Sequence, residues 1–506
     1  MLYRCALAVM LLAVAACGGT GGGGDGSAGG GTATGTSTGA AVASGTISDS
    51  GFGFDTGIGG SGGVIGEIDA FGSIILNGLE MQTGQATFFI EGSDGFAQSD
   101  LREGQYVVIA GDLNALDADA VYYRSNLQGP VSAAPVVEDA DTGTYRLTVL
   151  GQTVLTNPET RFDGLLAEEI GEGDLLEVSG PIDGDGRVLA TYVAARPALT
   201  TYKAIGRVAQ LDTGTRSFDL AGLRVGYAGA TFLRFAESAL SDGRFVEVRM
   251  AAGEFTAPAS ATAFEVERLP VPQIGEGAQL EVKGFIDSFT SPAEFTVGGV
   301  PVVTSAGTSF VTGSAAQLGL NVEVEVSGTA NGDGVLVADS IEFQRARVIR
   351  IEGPVTGVDV TAGTASILGA TLQIRGTTRL VERNTGVDPI TLDDLMIGDV
   401  VRARGAMEGT APVAIEIVRS VSNPGSSPTT LRGPLTGYDK SAATVEVLGV
   451  RVVDGIGSTQ YQDAQGDAVG RDTFYDTLLP KAVQLKVVWA DFGSLADPAE
   501  RLTITE

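Results

Sequence analysis

From Val64 to the C-terminus, apolar and polar residues alternate in short runs punctuated by glycine, the period of half-buried strands. The runs are not independent of one another. A Gly-x-aliphatic step occurs at Gly66, Gly129, Gly206, Gly284, Gly353 and Gly433, at intervals of 63 to 80 residues. A second anchor, a glycine before an apolar-x-apolar step, follows at Gly78, Gly151, Gly222, Gly299, Gly369 and Gly449; the second copy has Gln152 at the first apolar place. A third, Thr-x-(Phe/Leu/Tyr), lies at Thr87, Thr160, Thr231, Thr308, Thr378 and Thr459, nine residues beyond the second in five copies and ten in the last. So steady a spacing marks an internal repeat.

The fourth anchor is a strand, usually entered through glycine: "GQYVVIAG", "GDLLEVSG", "GRFVEVRM", "NVEVEVSG", "GDVVRARG" and, more loosely, "AVQLKVVW". The stretch before it is long enough for one or two helical turns, and a closing strand ends each unit. Six repeats of roughly 70 residues follow, at 64–126, 127–200, 201–272, 273–346, 347–421 and 430–506. Five or six strands with one helical turn in this order predict an all-β fold of tandem small OB-like β-barrels; a small open sandwich is the alternative. A unit of that size buries only about 60% of its unfolded surface, so neighbours are expected to touch. The joins at 196–201, 268–273 and 422–430 look like linkers, which predicts an elongated string.

The N-terminus reads differently. Residues 1–16 form a signal peptide with Arg4 ahead of an apolar run, and Val14-Ala15-Ala16-Cys17 resembles the bacterial lipobox. Cys17 is the expected lipidation site, which makes the membrane a partner through an N-terminal lipid. By the same resemblance, Gly18 directs the protein to the outer membrane, with the periplasmic face and the cell surface both open. Between 18 and 63, 20 of 46 positions are glycine, the composition of a disordered tether spanning roughly 35–40 Å.

Charge and residue types narrow the function. Loss of Arg4 takes the net charge from −30 to −31, which argues against nucleic acid. The chain has no histidine, and of its two cysteines Cys5 leaves with the signal and Cys17 carries lipid. No catalytic residue, metal ligand or cofactor site is assigned.

Three further features carry candidate chemistry. "DGDG" at 183–186, echoed by Asn331-Gly-Asp333-Gly, is the chemistry of a tight hairpin, with calcium binding as the alternative. The pairs Glu168-Glu169 and Asp393-Asp394 fall in the short helical stretch and read as surface acids. Phe88, Phe89, Phe162, Phe232, Phe310 and Tyr461 follow the threonine anchor and read as core, not as a stacking face.

The succession of anchors resembles a domain-of-unknown-function family, number 5666, that recurs in tandem on bacterial lipoproteins behind a glycine-rich leader. The resemblance implies fold and location and supplies no catalytic residues. The expected function is that of a non-enzymatic, lipid-anchored cell-envelope scaffold with an envelope protein or polysaccharide as partner. A carbohydrate- or surface-polymer-binding protein is the alternative, which a line of exposed aromatics would favour.

Overall fold

A computed structural model of the chain describes residues 62–505, apart from 140–143, 270–274, 345–347, 377, 383–389, 409–410, 421–428, 483 and 490–496. The signal peptide, Cys17 and all of the tether but Gly62 and Gly63 lie outside the described residues, as do most of the joins at 268–273 and 422–430.

Each repeat opens on a lead strand: Gly62–Glu67, Leu127–Asp139, Thr201–Asp212, Gln279–Ser291, Val348–Asp359 and Thr429–Asp439. A hairpin follows, turned by two residues that include the second-anchor glycine. Asn77-Gly78, Leu150-Gly151, Ala221-Gly222, Gly298-Gly299, Leu368-Gly369 and Leu448-Gly449 all have positive φ at both places, the signature of a type I′ turn, whose twist suits a two-residue hairpin. The threonine-anchor strand then runs parallel to the closing strand, as Arg379–Glu382 does beside Ala411–Ser420. One 3-10 turn precedes the fourth-anchor strand in repeats one to five, at Gln98–Asp100, Ala167–Glu169, Glu237–Ala239, Ala315–Gln317 and Leu392–Asp394. Repeat six has a longer helical segment there, 471–481. The glycine ending the fourth-anchor motif sits at a bulge in repeats one, four and five, where a Cβ on Gly111, Gly328 or Gly405 would lie 2.1, 2.1 or 2.2 Å from a carbonyl oxygen of the closing strand.

The expectation of separate OB-like barrels fails: the chain is all-β but winds as a β-solenoid of about nine turns, its sheets running from one repeat into another. The lead strands cause this. Each of the five longer ones pairs its C-terminal half with its own hairpin, leaving the N-terminal half with an edge that a self-contained unit would expose. That edge is covered by another lead strand. Repeats two and three join antiparallel (Lys203 opposite Gln128), as do five and six (Ile351 opposite Leu431), whereas repeats one and four join in parallel (Val64 opposite Glu281). Cores merge accordingly: one cluster contains Leu147, Val178, Phe218 and Val248 of repeats two and three, another Ile351, Val401, Leu431 and Val487 of five and six.

Neighbours in space are therefore not always neighbours in sequence, and the expected string of consecutive units is corrected as well. The described residues fall in one compact unit. Burial explains it: a unit this small and rich in glycine gains more by fusing with a second than by closing on itself.

Candidate functional site

Several of the chemistry-bearing residues singled out in the sequence are engaged within the fold. Asp183 accepts hydrogen bonds from the N–H groups of Asp185 at 3.0 Å and Arg187 at 2.8 Å, and from Arg187 Nε at 2.7 Å. Asp185 accepts from Asn321 Nδ2 at 2.8 Å, and the Gly184 N–H donates to Asn321 Oδ1 at 2.8 Å. "DGDG" is thus a turn that also ties repeat two to repeat four. Among the described residues no group of three or more acidic or thiol ligands could hold a metal ion. Glu168 is not a plain surface acid, since its carboxylate pairs with Arg402 of repeat five. Asp394 closes a capping box, accepting from Thr391 N–H at 2.8 Å and Thr391 Oγ1 at 2.7 Å, and these bonds hold its carboxyl below the usual range.

The aromatics behave as core. Phe88, Phe162 and Tyr461 are buried in hydrophobic clusters, and Phe89, Phe232 and Phe310 pack against them. Among the described residues the exposed large aromatics are Phe96, Phe264 and Tyr438, one each on repeats one, three and six, so no stacking face forms. The threonine anchor is a clip: Thr160, Thr308, Thr378 and Thr459 donate to carbonyls of the closing segment (Ala190, Ala338, Ala414 and Ala499) at 2.6 to 2.8 Å. Each also accepts a backbone N–H three or four residues upstream.

What sequence reasoning missed is a set of buried ionic joints between repeats. At the meeting of repeats one, two and three, Arg124 contacts Glu247 at 2.9 Å and Glu267 at 3.1 Å, while Arg249 holds Glu247 at 2.7 Å. Lys203 pairs with Glu91, and Tyr123 donates to Glu177 at 2.6 Å. Burial pushes the Glu247 carboxyl up, but Lys203, Arg124 and Arg249 outweigh it and keep the group below its ordinary value. A carboxylate saturated by three cations is a poor proton acceptor.

Repeat four meets repeat one where Lys283 donates to Glu67 at 2.6 Å and Tyr106 Oη donates to the Lys283 carbonyl at 2.6 Å. Carboxylates outnumber cations here. Burial, with Glu67 adding repulsion against the pull of Lys283, lifts Glu159 to about 7; burial lifts Glu323 to about 7 despite Lys283. Glu281 reaches about 7 through burial and the neighbouring Glu325.

Repeat five meets repeat two through Arg404, buried at 5% exposure. Its Nε donates to Glu416 at 3.1 Å, its Nη1 to the Pro158 and Thr160 carbonyls at 3.0 and 3.3 Å, and its guanidinium lies 5.2 Å from the Phe162 ring centre. Leu166, Val381 and Val418 form a small apolar cluster beside it. A signal for these joints was present: four residues after the residue that opens the fourth-anchor motif stand Glu177, Glu247, Glu325, Arg402 and Lys486, with Val108 in repeat one.

Comparison with known families matches residues 62–119, 128–194, 283–342 and 352–418 to a Domain of unknown function (DUF5666). These segments fall in repeats one, two, four and five. No curated protein and no solved structure matches the chain.

Proposed function

We propose, from the premise that the chain belongs to the DUF5666 family as a tandem-repeat protein, that it is a non-enzymatic scaffold of the bacterial cell envelope, anchored by lipid on Cys17. One observation supports this reading above the others: at each of the three joints a cation bonds across from one repeat to another. A catalyst holds such groups toward a cleft in matched acid and base states, whereas a scaffold spends them on rigidity. The partner is an envelope protein or a surface polymer, met by the outer faces of the fused sheets.

The test is fractionation of cells producing the wild-type chain or Cys17→Ser. Wild type is expected in the outer membrane and the variant in the soluble fraction; a variant that stays with the membrane overturns the anchor. Turnover by the purified protein in a broad substrate panel overturns the non-enzymatic part.

A further inference from the structure

We propose that the face of the sheet joining repeats five and six that lies away from its core, beside the contact with repeat two, is an oxyanion-binding site, where Arg350, between Arg404 and Arg432, receives a phosphate, sulfate or carboxylate group. The proposal names a ligand chemistry for the scaffold and does not depend on lipidation of Cys17.

The backbone pairing brings the cations together. Arg350 lies directly opposite Arg404 on one side and Arg432 on the other, and Arg432 lies opposite Lys486. Four adjacent strands therefore carry a row of four positive side chains, spaced by about 4.8 Å from strand to strand. The residues between them, Ile349, Ile351, Ala403, Leu431, Leu485 and Val487, face the shared core, which fixes the row on the opposite face. Like charges directly opposite one another destabilise a sheet. In a chain with 62 acidic and 32 basic residues, such a row runs against composition.

Internal compensation is incomplete at Arg350 and Arg404, whereas Arg432 and Lys486 each have a partner. Glu416 serves Arg404 at 3.1 Å and lies 3.6 Å from Arg379. The row next to it pairs Glu352 with Arg402, which already has Glu168. The Arg350 side chain makes no hydrogen bond or ion pair among the described residues, although Glu352 on its own strand and Tyr145 of repeat two attract it. The Nη2 of buried Arg404 is likewise without a hydrogen-bond partner. Burial and the neighbouring Arg402 hold the Arg350 guanidinium below its ordinary range, yet it remains a cation at neutral pH. Arg350 and Arg432 are only half-buried, so the row is reachable between its buried ends. Guanidinium groups offer planar pairs of N–H donors that match the two oxygens of a carboxylate, phosphate or sulfate, and a low-dielectric floor strengthens the match.

The experiment uses the chain from residue 17 onward with Cys17→Ser, so that its failure leaves the anchoring question untouched. Inorganic phosphate, sulfate and galacturonate are titrated by calorimetry against a chloride background of equal ionic strength. Saturable binding of at least one oxyanion is expected, with affinity reduced about tenfold or more in Arg350→Gln. Arg432→Gln, on the half-exposed part of the row, is the second variant should Arg350→Gln misfold, and Arg216→Gln, far along the chain in repeat three, is expected to bind as wild type. Tighter binding of galacturonate assigns the site to an acidic sugar, and tighter binding of phosphate or sulfate to an inorganic or esterified group. Absence of saturable binding, or wild-type affinity in both row variants, overturns the proposal.

Discussion

Leu150 covers Gly129. A Cβ on that glycine would stand 2.6 Å from Leu150 Cγ, while Leu150 itself holds a φ of 52° and is fully buried. The same contact joins Gly353 to Leu368 and Gly433 to Leu448, with Cβ distances of 2.7 and 2.6 Å. Two of the repeat's anchors are thus one device: the lead-strand glycine is the floor on which the left-handed residue of the hairpin turn packs, and burial of its side chain offsets the backbone strain.

Gly353→Ala therefore forces a buried leucine out of an already strained turn and is expected to lower stability by about 2 kcal/mol. Gly357→Ala, on the same strand, would place its Cβ 3.6 Å from Ser366, an ordinary contact, and should change stability by less than about 0.5 kcal/mol. Urea unfolding followed by the emission of Trp489, the single tryptophan, reports on this pair of repeats.

The threonine clip gives a second contrast. Thr378→Val removes the 2.7 Å bond to Ala414 and the acceptor for the Arg375 N–H at 2.9 Å. Two backbone groups then lose their partner, at a cost of about 2 kcal/mol. Thr231 is exposed at the equivalent place in repeat three, and Thr231→Val is expected to stay within about 0.5 kcal/mol of wild type by the same urea assay followed by circular dichroism.

Why is the repeat legible in the sequence and the assembly not? The turn, the clip and the helical stretch are local, each written in residues a few positions apart, so the places of Gly151, Thr160 and Glu168 within the repeat follow from sequence alone. Which lead strands pair is decided by contacts between segments far apart in sequence, such as Val64 with Glu281 or Leu166 with Val418. Glu177, Glu247 and Arg402 stand inside apolar strands, but alternation alone assigns them to a solvent face. In the folded chain that face meets another repeat.

The joint of repeats one, two and three should fail when its arginine is removed. Arg124→Met leaves Glu267 with Arg234 at 2.7 Å and Glu247 with Arg249, yet takes a buried cation from two carboxylates. A loss of about 3 kcal/mol is expected. An exposed pair such as Arg146 with Glu138 should cost under about 1 kcal/mol when broken by Arg146→Met. Equal effects in the two variants would show that the joint is not buried.

Stability should also depend on pH in a defined window. Glu159, Glu281 and Glu323 titrate at about 7 when folded, against an ordinary 4.5. The folded state holds their protons more tightly, so their contribution is complete below 4.5 and is lost as pH rises through about 7. Glu247 has the opposite sign: its carboxyl is depressed, and its contribution disappears as pH falls below its ordinary value. The urea midpoint is therefore expected to be higher at about pH 5 than at about pH 8, and Glu281→Gln should flatten that difference by raising the value at the higher pH.

The contact between repeats two and five distinguishes the fused arrangement from a string of consecutive units most directly. Leu166 and Val381 are both buried in the small cluster that also holds Val418, although more than two hundred residues of chain separate them. With Cys17 replaced by serine, a chain beginning at residue 17 has no thiol, so Leu166→Cys and Val381→Cys can be introduced as the only two. A short bis-maleimide should link them in the folded double variant and give a faster-migrating band on a denaturing gel. Neither single variant should shift, nor should the double variant linked after unfolding in urea. In a string of consecutive units, repeats three and four would separate the two thiols beyond the reach of the reagent, and no shifted band would form.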